Sequence, residues 1–254
     1  MIHYTIDGPE GAPVLVLSNS LGTTLELWEP QLPELARRRR VLRYDPRGHG
    51  RSPAPGGPYT ADDLGRDVLE LLDRLELQRV SFCGLSMGGV VGMWLGANAP
   101  ERIDRLVLAC TAARFAPRER WEERIATVRR EGMAPVADAS MERWFSSRFR
   151  EERPEIVARF REMVAASSPE GYAACCEAIR DFDFRARLGE IAAPTLVIAG
   201  EEDPATPVEN LQFIAEGIAE ARLHVIPGVA HLANVEQPEV FSRAVLDHLG
   251  EEAA

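Results

Sequence analysis

Val80-Ser81-Phe82-Cys83-Gly84-Leu85-Ser86-Met87-Gly88-Gly89-Val90-Val91-Gly92-Met93-Trp94 decides how this chain is read. Val80 to Cys83 has the apolar composition of a short buried strand, and Met87 to Ala99 reads as a helix that Pro100 stops. A serine at the joint, flanked by Gly84 and Gly88, fits a sharp turn that lifts a hydroxyl above the end of a sheet. The following helix N-terminus directs a backbone N–H and a positive dipole end toward any negative charge developing there. Ser86 is therefore the candidate nucleophile.

Working outward, the same alternation recurs. Ile2 to Ile6 alternates apolar and polar residues and, with a turn at Asp7 to Gly11, predicts a hairpin feeding the buried strand Val14 to Leu17. Val41 to Tyr44 is a further strand, followed by Asp45-Pro46-Arg47-Gly48-His49-Gly50-Arg51-Ser52 and a Pro/Gly-rich surface loop through Pro58. Thr60 caps an amphipathic helix from Ala61 to Leu75, and Leu106 to Ala109 is another strand. Thr195 to Ala199, a helix at Val208 to Ile218, a strand at Leu223 to Ile226 and a helix at Pro238 to Leu249 complete the series. Strands alternating with helices predict an α/β fold with a mostly parallel central sheet flanked by helices.

Between residues 114 and 187 the strand signal stops. Trp121, Ile125 and Val128, then Trp144 and Phe145, then Ile156, Phe160 and Val164 fall among dense charge at helical spacings. The expected organisation is a core of residues 1–113 and 188–254 with a helical cap insertion at 114–187.

The 254 residues carry a net charge of -11, which disfavours nucleic acid and anionic bilayers as partners and requires local positive charge for any anionic substrate. All 29 basic residues are arginine, so a lysine nucleophile is excluded. No leader-like N-terminus and no membrane-spanning run is seen, and a cytoplasmic location is the expectation. Cys83, Cys110, Cys175 and Cys176 lack metal-ligand spacing and read as reduced thiols without a catalytic role.

A serine alkoxide at neutral pH needs a base oriented by an acid, in the chain order Ser, acid, His. Asp203, in Gly200-Glu201-Glu202-Asp203-Pro204 just after a predicted strand, is favoured over Glu201 and Glu202 by its turn chemistry. His231 lies in the loop between the last predicted strand and the last helix. His49 is the rival, but it precedes the serine and reads as a structural loop residue; His3 and His224 lie in strands, and His248 lies near an exposed terminus. The Met87 N–H and, from Ser18-Asn19-Ser20-Leu21-Gly22, the Leu21 N–H are the candidate oxyanion donors. No metal or organic cofactor is called for.

Ser18 to Gly22, Asp45 to Gly50, Gly84 to Gly89, Thr111-Ala112-Ala113-Arg114, Asp203-Pro204-Ala205-Thr206-Pro207 and His231 to Pro238 span nearly the whole chain. Together they resemble the 3-oxoadipate enol-lactonase family of α/β-hydrolases. The Gly-x-Ser-x-Gly and Arg-Gly-His-Gly signatures are widespread in that superfamily, whereas Ser-Asn-Ser-Leu-Gly, Thr-Ala-Ala-Arg and Ala205-Thr206-Pro207 are more discriminating. The chain departs from the pattern in two ways: the superfamily's outermost strand is expected to be absent, and Cys110 stands where asparagine is expected.

The resemblance implies the α/β-hydrolase fold and an intracellular enzyme of aromatic-compound breakdown that opens a small anionic enol-lactone. Arg114 and Trp144 are the candidates for meeting the substrate carboxylate. A carboxylesterase, a cofactor-free perhydrolase or a carbon–carbon bond hydrolase would keep the same triad. A slow-turnover small-molecule sensor on this fold is the alternative from another class.

Overall fold

A computed structural model describes residues 1–115 and 117–250. Seven strands form one sheet: β1 (Tyr4–Asp7), β2 (Val14–Ser18), β3 (Arg40–Tyr44), β4 (Val80–Leu85), β5 (Ile103–Ala109), β6 (Thr195–Gly200) and β7 (Ala221–Ile226), in the spatial order β1-β3-β2-β4-β5-β6-β7. All neighbouring pairs are parallel except β1 with β3. The expected hairpin between the first two strands is not formed, because β2 pairs with β3 on one side and β4 on the other. Val14 to Leu17 is apolar toward both faces and takes the interior, while the half-polar Tyr4–Asp7 takes the edge.

The helices are α1 (Leu32–Leu35), α2 (Ala61–Arg74), α3 (Met87–Asn98), α4 (Arg118–Glu131), α5 (Ala134–Trp144), α6 (Ser147–Glu152), α7 (Pro154–Ala165), α8 (Pro169–Asp181), α9 (Val208–Gly217), α10 (Ala233–Glu236) and α11 (Pro238–His248). In α2 the predicted capping box is made, with Asp63 N–H donating to Thr60 Oγ1, and Leu64, Val68, Leu71 and Leu72 point inward. Helix α3 differs: it is buried all round, from Met87 to Gly96, and runs behind the sheet centre. It holds its first turn where β4 and β5 end. No helix among the described residues is long and apolar enough to cross a membrane.

Helices α4 to α8 all lie between β5 and β6 in the chain. The two ends of this segment meet, with Phe184 N–H donating to the Ala113 carbonyl at 2.7 Å and an isolated bridge between Arg114 and Asp183. Its predicted apolar positions Ile125, Val128, Trp144, Phe145, Phe160 and Val164 are buried. Ile156 packs against them partly exposed.

The Pro/Gly-rich loop is exposed from Pro53 to Pro58, as expected, whereas the segment that joins it to β3 is largely buried. Asp45 and His49 are 2% and 1% exposed. Asp45 takes the N–H groups of Leu25 and Arg51, so its carboxylate ties this loop to the 3-10 turn Leu25–Gln31. His248 is likewise buried against the Pro194 carbonyl rather than lying at an exposed end.

Candidate active site

Ser86 sits between β4 and α3 with φ 58°, a left-handed conformation that costs a non-glycine residue about 1–3 kcal/mol. The turn is held from three sides. Ser86 N–H donates to the Ala109 carbonyl at 2.9 Å, the Thr111 hydroxyl donates to the Ser86 carbonyl at 2.8 Å, and Gly88 N–H donates to the Asn19 carbonyl at 3.0 Å. The flanking glycines are needed for space: a Cβ on Gly84 would lie 2.0 Å from the Gly88 carbonyl oxygen, and one on Gly88 would lie 2.2 Å from that of Ser18.

Asp203 and His231 come together from the ends of β6 and β7. His231 Nδ1 is 2.7 Å from Asp203 Oδ2, and both side chains are buried. Asp203 is braced by the N–H groups of Ala205 at 2.7 Å and Thr206 at 3.0 Å and by the Thr206 hydroxyl at 2.6 Å. Burial alone would push this carboxyl up. The charge and hydrogen bond of His231, with the Thr206 bonds, outweigh that and hold it below the ordinary carboxylate value. An ionised Asp203 can only accept, so a neutral His231 carries its proton on Nδ1 and leaves Nε2 as an acceptor. Glu201 instead takes the Gly228 N–H at the surface.

One cavity is lined by Ser86, His231, Ser20 and Leu21 from the sheet side, and by Phe115, Trp121, Tyr172 and Trp144 from the helical segment. Neither the Leu21 nor the Met87 N–H has a backbone or side-chain acceptor among the described residues, whereas Gly22, Thr23, Gly88 and Gly89 are all engaged. Behind Leu21, His49 Nε2 accepts the Gly22 N–H at 2.8 Å, and Nδ1 faces the Arg47 carbonyl at 3.2 Å. Burial lowers His49 to about 4, so the ring is a neutral acceptor. Asn19 completes the support, taking the Trp28 indole N–H at 2.9 Å and donating to the Tyr44 carbonyl at 3.0 Å.

Trp144 is buried in the cavity wall. Arg114 is not brought there; it is exposed beside Asp183, at 3.9 Å, where the helical segment meets the sheet. The cations facing the cavity are Arg120, Arg124 and Arg143. Burial, with the like charges of Arg124 and Arg120, lowers Arg143 to about 10. Its hydrogen-bond partner is the Ser140 hydroxyl at 3.4 Å, and no carboxylate pairs with any of the three among the described residues. Arg124 lies over the Trp121 ring at 4.6 Å. In sequence these arginines are lost among the many in α4 and α5, most of which face solvent; only the fold separates them. No cluster of His, Cys, Asp and Glu among the described residues is arranged to hold a metal ion.

The model of the alpha/beta hydrolase fold family matches residues 13–238. This chain belongs to the α/β-hydrolase family. Among curated relatives, 3-oxoadipate enol-lactonase 2 of Acinetobacter baylyi is 43% identical over 244 residues, covering 96% of this chain and 91% of the relative. The same organism's 3-oxoadipate enol-lactonase 1 is 38% identical, covering 94% and 90%. Among solved structures, the enol-lactonase from Burkholderia xenovorans superposes with a TM-score of 0.96 at 44% identity, covering 98% of this hydrolase and 96% of that chain. A hydrolase from Pseudomonas aeruginosa superposes with a TM-score of 0.95 at 50% identity, covering 98% and 94%.

Proposed function

We propose that this hydrolase opens 3-oxoadipate enol-lactone to 3-oxoadipate, with Ser86 as nucleophile, His231 as general base, Asp203 as its orienting acid and the helical segment as a cap over the substrate. The observation that carries the substrate reading is the group of cavity-facing arginines without carboxylate partners, in a chain of net charge -11. Guanidinium groups that are half-buried in a cavity wall without a carboxylate beside them, as Arg124 and Arg143 are, favour an anionic ligand. The likeness to enol-lactonases over nearly the full chain supports the same substrate.

Ser86 Oγ attacks the lactone carbonyl while His231 Nε2 takes its proton. The oxyanion is met by the Leu21 and Met87 N–H groups. Collapse breaks the bond to the ring oxygen, which leaves as an enol protonated by His231; conversion to the ketone suppresses reclosure of the tethered acyl-enzyme. Water, deprotonated by His231, then attacks the acyl-enzyme and releases Ser86 and the open keto acid. The substrate carboxylate lies toward Arg143 and Arg124, with Trp144 and Tyr172 on the apolar wall; Arg114 belongs to the surface.

Steady-state hydrolysis of the lactone beside p-nitrophenyl acetate tests this. Fast turnover of the lactone, abolished in Ser86→Ala and His231→Ala, is expected. A preference for the plain ester would sink the lactonase reading, and stoichiometric labelling of Ser86 without turnover would favour a sensor.

A further inference from the structure

Glu236, the last residue of α10, is partly buried and is claimed by neither the triad nor the cavity. Its Oε1 accepts the Ala230 N–H at 2.8 Å and the Ser146 N–H at 3.1 Å, and its Oε2 accepts the Ser146 hydroxyl at 2.5 Å. Ala230 immediately precedes His231; Ser146 caps α6, two residues after the cavity-lining Trp144. On the other side of the histidine, Leu232 N–H donates to the Trp144 carbonyl at 2.9 Å.

The backbone on both sides of His231 is thus bonded to the α5–α6 corner, one side directly and the other through a carboxylate. Asp203 fixes only the Nδ1 edge of the imidazole; the direction of Nε2 also depends on where residues 230 to 232 hold the ring. No cation pairs with Glu236 among the described residues, since Arg148, which lines the same surface cleft, bonds to Glu152. The carboxylate is spent wholly on N–H and O–H donors of two chain segments distant in sequence.

We propose that Glu236 is a positioning residue, which locks the His231 backbone to the α5–α6 corner so that the general base and the Trp144 wall of the cavity move as one body. This rests on the triad reading and goes beyond it by assigning the histidine's placement to a residue outside the site. A displacement of the imidazole by about 1 Å is enough to cost on the order of 100-fold in rate.

The rate at which a small neutral fluorophosphonate labels Ser86 reads that placement with no lactone present. Glu236→Ala is expected to slow labelling by about 10-fold or more and to lower kcat for the lactone by a similar factor. Glu236→Gln, whose amide oxygen still takes both N–H groups, should restore labelling to within about threefold of the parent rate. Glu236→Met, which keeps the bulk and accepts no N–H, replaces the alanine variant in the comparison if that one does not fold. A folded alanine or methionine variant labelled within about twofold of the parent rate overturns the proposal. So does a glutamine variant as slow as the alanine one, because a loss of charge alone would then explain the effect. If the parent chain labels at Ser86 but leaves the lactone intact, the substrate reading falls, and the labelling ratios still decide the role of Glu236.

Discussion

His49→Phe keeps an aromatic ring in place and removes the nitrogen that accepts the Gly22 N–H at 2.8 Å. A buried donor left without a partner costs about 1–3 kcal/mol, so stability at pH 7 should fall by that order. If the loop moves to relieve the loss, Leu21 moves with it, and forfeiting one oxyanion donor costs about 10²–10³ in kcat. The parent chain carries the matching acid sensitivity. Its His49 titrates near 4 when folded, from an ordinary value of 6.5, because burial penalises the charged ring. Below pH 6.5 the unfolded chain takes up a proton that the folded chain refuses, so stability is complete above that pH and drains away as pH falls toward 4. The interval corresponds to about 3 kcal/mol, of which about 2 kcal/mol is lost by pH 5. His248, also lowered to about 4, chiefly by burial, adds a loss of the same sign. Urea unfolding at pH 7 and pH 5, with kcat measured alongside, separates these effects. The variant should be less stable at pH 7 but lose less on acidification, retaining only the His248 share. An unchanged pH dependence, or a variant as stable as the parent at pH 7, would refute the reasoning.

Asp203→Asn, which removes the charge that orients His231 and stabilises its imidazolium, should lower kcat by about 10⁴ while near-ultraviolet circular dichroism stays unchanged. Arg143→Met should raise KM for the anionic lactone by about 10- to 100-fold, the worth of a hydrogen bond to a charged group, and leave kcat/KM for p-nitrophenyl acetate within about twofold. Equal losses on both substrates would mean that Arg143 shapes the cavity rather than reading charge. Thr206→Val strips a 2.6 Å hydrogen bond from Asp203, so the carboxyl should rise in pKa and the acid limb of the pH–rate profile should move to higher pH.

The parallel part of the sheet was legible because each interior strand is an apolar run followed by a helix of period near 3.6. Register and edge were not, since pairing depends on which strand has apolar residues on both faces, a comparison between distant segments. That is why Ile2 to Ile6 reads as a hairpin partner of Val14 to Leu17, whereas β1 pairs with β3. Chain order singles out Ser86, Asp203 and His231 as candidates, and the structure brings Asp203 and His231 to 2.7 Å. The arginine-lined side of the cavity could not be singled out in this way. Arg114 stands out by its motif, while Arg143 and Arg124 carry no local signal; their distinction is a place in the cavity wall with no carboxylate beside them, which exists only once α4, α5 and α8 are packed. Asp45 and His49 lie buried just ahead of the exposed Pro/Gly loop, which is tolerable only because each meets a backbone partner, and those partners come from segments distant in sequence.

The left-handed backbone at Ser86 sets heat resistance against turnover. Glycine would occupy φ 58° without penalty, so Ser86→Gly should relax the turn by about 1–3 kcal/mol while abolishing acyl transfer. A library of this hydrolase ranked by melting temperature alone would therefore enrich dead enzyme at position 86. Stabilising the scaffold by directed evolution has to screen for turnover in the same round.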